Sequence, residues 1–173
     1  EQILNANYPP VDKITERVFR LDRSLWERSP WHSDYLSVRL GIGSRKLIGK
    51  ISCPEKKFKV RTDDLEDKMY QLAGVDYRLN NVPITVKLDE VITGVIGNRA
   101  SVRDMIRVII GQLITLHSYD ECKLYVEYDR SEEAYWRFLY DVPHCWDSEF
   151  ENRNIISSSG DLGVALPALS KIF

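Results

Sequence analysis

Cysteine is scarce in this chain: Cys53, Cys122 and Cys145 are the only three in 173 residues, far apart and without a CxxC pair. One of them stays unpaired in any scheme, which fits a reducing compartment better than a disulfide framework, and a cytosolic setting is the default expectation. The three histidines, His32, His117 and His144, are scattered too, and the paired spacings of a four-ligand zinc site are missing. No apolar run approaches the roughly 20 residues of a membrane-spanning helix, and no basic stretch followed by an apolar one opens the chain. Neither sign of charge is in excess, with 24 Lys and Arg against 26 Asp and Glu. That balance leaves no electrostatic footprint for nucleic acid or an anionic membrane surface. Internal repeats and low-complexity linkers are absent. The first residue is Glu1 rather than Met, and the expectation is a piece of something larger.

What is present is ordinary globular composition, 43% apolar and 29% charged, in a length that buries one good core. The reading is a single domain over 1–173, in which 1–90 supplies a helix and lead-in strands and 91–173 forms the core. Val11, Ile14, Val18, Leu21, Leu25 and Trp26 recur near helical spacing and predict a surface helix over 11–26, ended by Pro30. Alternation over 35–43 predicts a strand with Leu36, Val38, Leu40 and Ile42 on one face and Ser37 and Arg39 on the other. Short strands over 45–51 and 57–60 are possible edges. A helix over 62–73 is closed by Gly74, and Ile84 to Leu88 alternate again.

The densest signal lies from Val91 to Asp129. A short apolar strand, VITGVIG, meets a tight loop (Asn98, Arg99, Ala100, Ser101), then a long amphipathic helix over 101–117 and a second strand, CKLYVEYD. This is the outline of a phosphate-binding strand, loop and helix. A working loop reads G-x-x-x-x-G-K-[ST], its glycines letting backbone N–H groups curl round phosphate while Lys and hydroxyl meet charge and magnesium. Gly94 and Gly97 are here, but no Lys follows; Arg99 is placed inside the loop and Ser101 at the helix cap, with Asp104 completing a capping-box pattern. Ser131 can cap a further helix ended by Pro143, Asn154 to Ser157 can be a strand, and the tail over 161–173 is helical in outline. Strand and helix alternation in the second half predicts right-handed crossovers and a parallel sheet. The expected fold class is therefore α/β, P-loop-NTPase-like, a mainly parallel sheet flanked by helices, with a degenerate phosphate loop.

Three blocks together carry a resemblance: LWERSPWHSDYLSVRLGIG (Leu25 to Gly43), GVIGNRASVRDMIRVIIGQLITLHSYDECKLYV (Gly94 to Val126) and DVPHCWD (Asp141 to Asp147). In order and spacing they resemble the cytosolic segment of the type VII secretion ATPases, the membrane-anchored FtsK/SpoIIIE-like motors called EssC or YukB in Firmicutes and EccC in actinobacteria. In that family the segment lies between the transmembrane helices and the first ATPase domain. The resemblance implies an ATPase-like domain at the cytoplasmic face of the membrane, within a hexameric, Gram-positive protein-export motor. Its partners would be other domains and subunits of the motor and the membrane components of the secretion system. The missing Lys argues against hydrolysis in this domain. The leading expectation is a non-catalytic coupling and assembly domain without a cofactor; the alternative is a nucleotide-binding or weakly active ATPase domain that uses Gly94, Gly97, Asn98, Arg99, Ala100 and Ser101, with ATP and magnesium. An unrelated dinucleotide-binding domain lacks the G-x-G-x-x-G loop.

The remaining chemistry-bearing residues read as structural. Asp129 ends an apolar strand, and a turn-forming role outweighs a magnesium-holding one. Asp147 belongs to no acid pair or metal motif. His117 falls in the last turn of the long helix, where the dipole favours an imidazole. His144 and Cys145 are adjacent, so their side chains diverge and no third group orients them. Trp26 and Trp136 fall on apolar helix faces and read as core, whereas Trp31 and Trp146, in turns near Pro30 and Pro143, are the interface candidates.

Overall fold

The computed structural model describes residues 2–47, 53, 64–73, 77–90 and 92–157. The expected strands over 48–51 and 57–60, the start of the helix at 62–63, the Gly74 stop, Val91 and the helical tail over 161–173 lie outside the described residues.

After α1 (Gln2–Asn7), α2 spans Val11–Arg20. It stops six residues earlier than the periodicity predicts. Leu21 turns left-handed at φ 48°, its N–H bonding Val18 O while Asp22 N–H bonds Arg17 O. This is a Schellman closure with Leu where Gly is usual, so no glycine marked it in the sequence. Asp22 then accepts from Ser24 N and Oγ at 2.8 and 2.7 Å, redirecting the chain. Trp26 N–H and Arg28 N–H next bond Thr115 O and Leu116 O, carbonyls that the end of the long helix α4 cannot satisfy itself.

Strand β1 (Ser37–Lys46) pairs antiparallel with β2 (Arg78–Lys87), from Ser37 opposite Lys87 to Lys46 opposite Arg78, with register shifts at Arg39/Gly41 and Gly43/Arg45. Helix α3 (Asp64–Ala73) lies within their connection. The expected one-sided burial of β1 is corrected. Ser37, Val38 and Arg39 are all buried, while Ile42 is 65% exposed, because the strand enters the core at one end and leaves it at the other.

Helix α4 (Arg99–Leu116) crosses this hairpin, and its buried residues Ile110, Gln112, Leu113, Thr115 and Leu116 all fall in its second half. Gln112 serves as a substitute strand partner: its amide accepts Arg39 N–H at 2.7 Å and donates to Arg39 O at 2.9 Å. A buried backbone edge is thereby closed without a third strand. Beyond α4, β3 (Val126–Glu127) pairs in parallel with β4 (Ile155–Ile156), in agreement with the strand expected at 154–157. Between them run a 3₁₀ turn at Arg130–Glu132, the short helix α5 (Glu133–Trp136) and 3₁₀ turns at Arg137–Asp141 and Pro143–Cys145. Ile110, Tyr128, Trp136, Leu139, Val142, Cys145 and Ile155 form the main apolar cluster. Trp136 is core, as expected; Trp26 is 47% exposed and off the helix, a correction that follows from the early end of α2.

The α/β class holds, but the mainly parallel sheet does not. The longer sheet is antiparallel and the parallel pair spans two residues per strand. The strand expected at 91–97 is also not seen among the described residues: 92–97 carry no strand pairing there, and Ile92 and Ile96 are fully exposed. Its β-branched composition favours an extended chain, but among the described residues nothing offers it a ladder.

Candidate functional site

Gly94 and Gly97 lie in exposed chain outside any helix or strand, Gly97 at a bend, and neither has a positive φ. A phosphate-cradling nest needs successive N–H groups turned inward by alternating backbone hands, and that curl is missing. Asn98, not Ser101, caps α4: its side chain accepts Ser101 N–H at 2.9 Å, the capping bond that Asp and Asn make at helix starts. The expected capping box is likewise replaced, because Asp104 accepts from Tyr135 OH at 2.6 Å instead. Arg99 sits at the first helical position rather than in the loop, and its Nε pairs with Glu132. Arg103 reaches the same carboxylate at 3.7 Å and stacks on the Tyr135 ring 4.6 Å from its centre. The cations nearest the helix N-terminus are thus already engaged. Glu132 is held below its ordinary pKa, first by the Trp136 indole and then by Arg99, so it stays an anion there.

Asp129 is the turn-former expected: it accepts from Ser131 N and Oγ and caps the 3₁₀ turn, displacing Ser131 from the capping role. Asp147 organises its own loop, accepting from Glu151 N, Asn152 N and Asn152 Nδ2. Among the described residues no group of three or more His, Cys, Asp or Glu could hold a metal ion.

The buried polar groups form one continuous structural system, which sequence reasoning read only in fragments. His117, fully buried, accepts Leu36 N–H on Nε2 at 3.0 Å and bonds Leu113 O through Nδ1 at 3.1 Å. That arrangement requires the neutral ring with its proton on Nδ1. Burial pushes its pKa down to about 4, against the pull of the Leu113 bond; desolvation overrides the helix dipole expected to favour it. His144 donates from Nε2 to His117 O at 2.9 Å. Its neighbour Cys145 is fully buried with its thiol pushed up to about 11 by desolvation, which removes any nucleophilic role. Arg28, 2% exposed, bonds Ser37 O and Asn7 O, pairs with Asp34 at 3.1 Å and covers the Tyr8 ring. Arg39 bonds Tyr8 O at 2.7 Å. Two arginines therefore pin the N-terminal segment onto β1. Polar residue types at Arg28, Arg39 and Gln112 disguised this in the sequence, where Arg39 reads as a solvent-facing strand residue.

Trp31 is 77% exposed, with the His32 ring edge-on to it and the ring centres 6.3 Å apart. Trp146 is half-buried, with the Arg153 guanidinium 4.6 Å from its ring centre and Phe150 beside it. A cavity of about 820 Å³ nearby is lined by Arg130, Arg137 and Arg153 with Glu133 and Asp141; it draws nothing from Gly94 to Ser101. No helix among the described residues is long and apolar enough to cross a membrane.

No family model matches the chain. Individual proteins do. It is 26% identical over 156 residues, 87% of its length, to the ESX secretion system protein YukB of Bacillus subtilis (strain 168). Over 143 residues, 82% of its length, it is 23% identical to the ESX secretion system protein EccC of Geobacillus thermodenitrificans. Over 141 residues it is 26% identical to the type VII secretion system protein EssC of Staphylococcus aureus (strain NCTC 8325 / PS 47). The chain spans about 10% of the length of these relatives. These relatives are named as ESX or type VII secretion proteins, and the chain is similar to a stretch of each. By that similarity it is EssC/YukB-like over 82–87% of its length.

Proposed function

We propose that this domain is a non-catalytic coupling and assembly element of a type VII secretion motor, joining the membrane part to the ATP-driven domains. The observation that carries the reading is the state of the degenerate loop. It lacks Lys, does not curl, and has Arg99 and Arg103 turned onto Glu132 rather than held open for phosphate. Catalysis of phosphoryl transfer is almost wholly positioning and electrostatics, and both are missing here. The order of capped helix, β3 and parallel β4 supports a distant ATPase-like, FtsK/SpoIIIE-related origin for the second half. The domain then works by surfaces: Trp31 and Trp146 contact neighbouring domains or subunits at the cytoplasmic face of the membrane, in a homo-hexamer.

One observation favours a second reading, nucleotide binding without hydrolysis. The N-terminus of the 18-residue α4 is exposed, and helix starts attract anions without any Lys. Protein export by cells carrying the full-length protein separates the two. Arg99→Ala leaves export unchanged under the coupling reading, whereas Trp31→Ala lowers it. Export lost with Arg99→Ala and kept with Trp31→Ala would overturn the coupling reading.

A further inference from the structure

The geometry points to the groove between α2 and α4 as a docking site for an amphipathic helix from a partner protein, with acidic residues along the edge that lies over α4. The inference deepens the reading of a domain that acts through its surfaces, and rests on it.

Helix α2 buries only Ile14. Val11 and Val18 stay about half exposed and Phe19 is 84% exposed, so most of the apolar face that shapes this helix has no partner among the described residues. A groove of about 370 Å³ runs between the helices, lined chiefly by Val11, Ile14, Val18, Val108, Gly111 and Ile114. Gly111 is part of that lining. A Cβ there meets nothing within 4 Å, although glycine in a helix interior costs about 1 kcal/mol relative to alanine. The internal packing therefore does not require a glycine. A bare helix surface that lets another helix approach closely does. Trp26 is tied to the lining residue Ile114, its indole N–H donating to Ile114 O at 3.1 Å with the ring 47% exposed, an aromatic anchor already held in place.

Charge selects the partner. On the α2 side Arg17 pairs with Glu27, and Lys13 and Arg20 both pair with Glu16. On the α4 side Arg107 is exposed and has no carboxylate partner among the described residues; its guanidinium stacks 4.9 Å from the Tyr135 ring centre and 5.1 Å from that of Phe138. A stacked guanidinium keeps its N–H edge free for a carboxylate. A helix with apolar anchors at i, i+3 or i+4, and i+7 fills such a groove, and acids on its α4-facing edge meet Arg107. A second copy is a poor occupant, since a two-fold contact sets groove against groove while the α2 carboxylates Glu16 and Glu27 are already paired with their own cations rather than open to Arg107.

The test uses fluorescently labelled 18-residue synthetic helices titrated with the whole chain: one with a leucine stripe and flanking glutamates, one with the same stripe and lysines, and one with the stripe scrambled. The acidic stripe is expected to bind at least 10-fold more tightly than either control. Gly111→Leu, which fills the groove, should abolish binding without lowering the melting temperature, and Arg107→Glu should turn the preference toward the lysine peptide. Equal binding of all three peptides, or binding unaffected by Gly111→Leu, overturns the proposal. So does sedimentation that shows a dimer which Gly111→Leu converts to monomer, because the occupant is then a second copy. None of these outcomes depends on nucleotide, so failure here is distinguishable from failure of the coupling reading.

Discussion

Acid should weaken this fold through His117, and the size of the effect can be worked out. Buried and neutral, the ring titrates at about 4 in the folded chain against an ordinary value near 6.5. The unfolded chain therefore binds more protons across that window. The contribution of His117 is complete above pH 6.5 and falls as the pH drops toward 4, by about 1.4 kcal/mol per pH unit. At pH 5 the loss is about 2 kcal/mol. For a chain of this size that corresponds to roughly 4–8 °C in melting temperature. His144, also lowered by burial, acts in the same direction. Urea denaturation at pH 7 and pH 5 reads the loss directly. His117→Gln keeps an acceptor for Leu36 N–H but cannot titrate; it should start less stable at pH 7 and lose clearly less between the two pH values. Stability that is flat from pH 7 to 5, or an equal loss in the variant, would refute the reasoning.

Other outcomes follow from the same packing. Gln112→Leu strands the N–H and C=O of Arg39 and should cost about 2–4 kcal/mol in urea denaturation; a cost under about 0.5 kcal/mol would mean that the amide does not close the strand edge. Trp136→Ala empties the centre of the main cluster, with an expected loss of about 3–5 kcal/mol. Trp31→Ala should change stability by less than about 0.5 kcal/mol while weakening assembly of the full-length protein in sedimentation, and a large drop in melting temperature would assign the ring to packing instead. Asn98→Ala removes the α4 cap at about 1 kcal/mol, and a calorimetric scan that shows no change would deny the cap its role.

The parts of the fold that the sequence disclosed are those governed by local period and composition. The long α4 helix, the core position of Trp136, the turn at Asp129 and the strand containing Ile155 and Ile156 were all legible. Three things were not. Leu21 ends α2 in a left-handed conformation that no residue type announced. Arg28, Arg39 and Gln112 are buried because they bond backbone far away in sequence, and no local pattern encodes such pairing. The run from Ile92 to Gly97 has strand composition yet no partner among the described residues, so propensity alone pointed to a strand there. At the candidate loop the absence of Lys was visible at once. That Arg99 and Arg103 turn onto Glu132 was hidden, because the carboxylate stands 33 residues from Arg99.

The central claim is that this domain acts without nucleotide chemistry. Calorimetric titration of the chain with Mg-ATP, followed in the same sample by an assay for released phosphate, tests it most directly. The account predicts neither binding heat nor phosphate release above a protein-free control. Binding that Arg99→Ala abolishes would make Gly94 to Ser101 a nucleotide sensor, and sustained phosphate release would contradict the account outright.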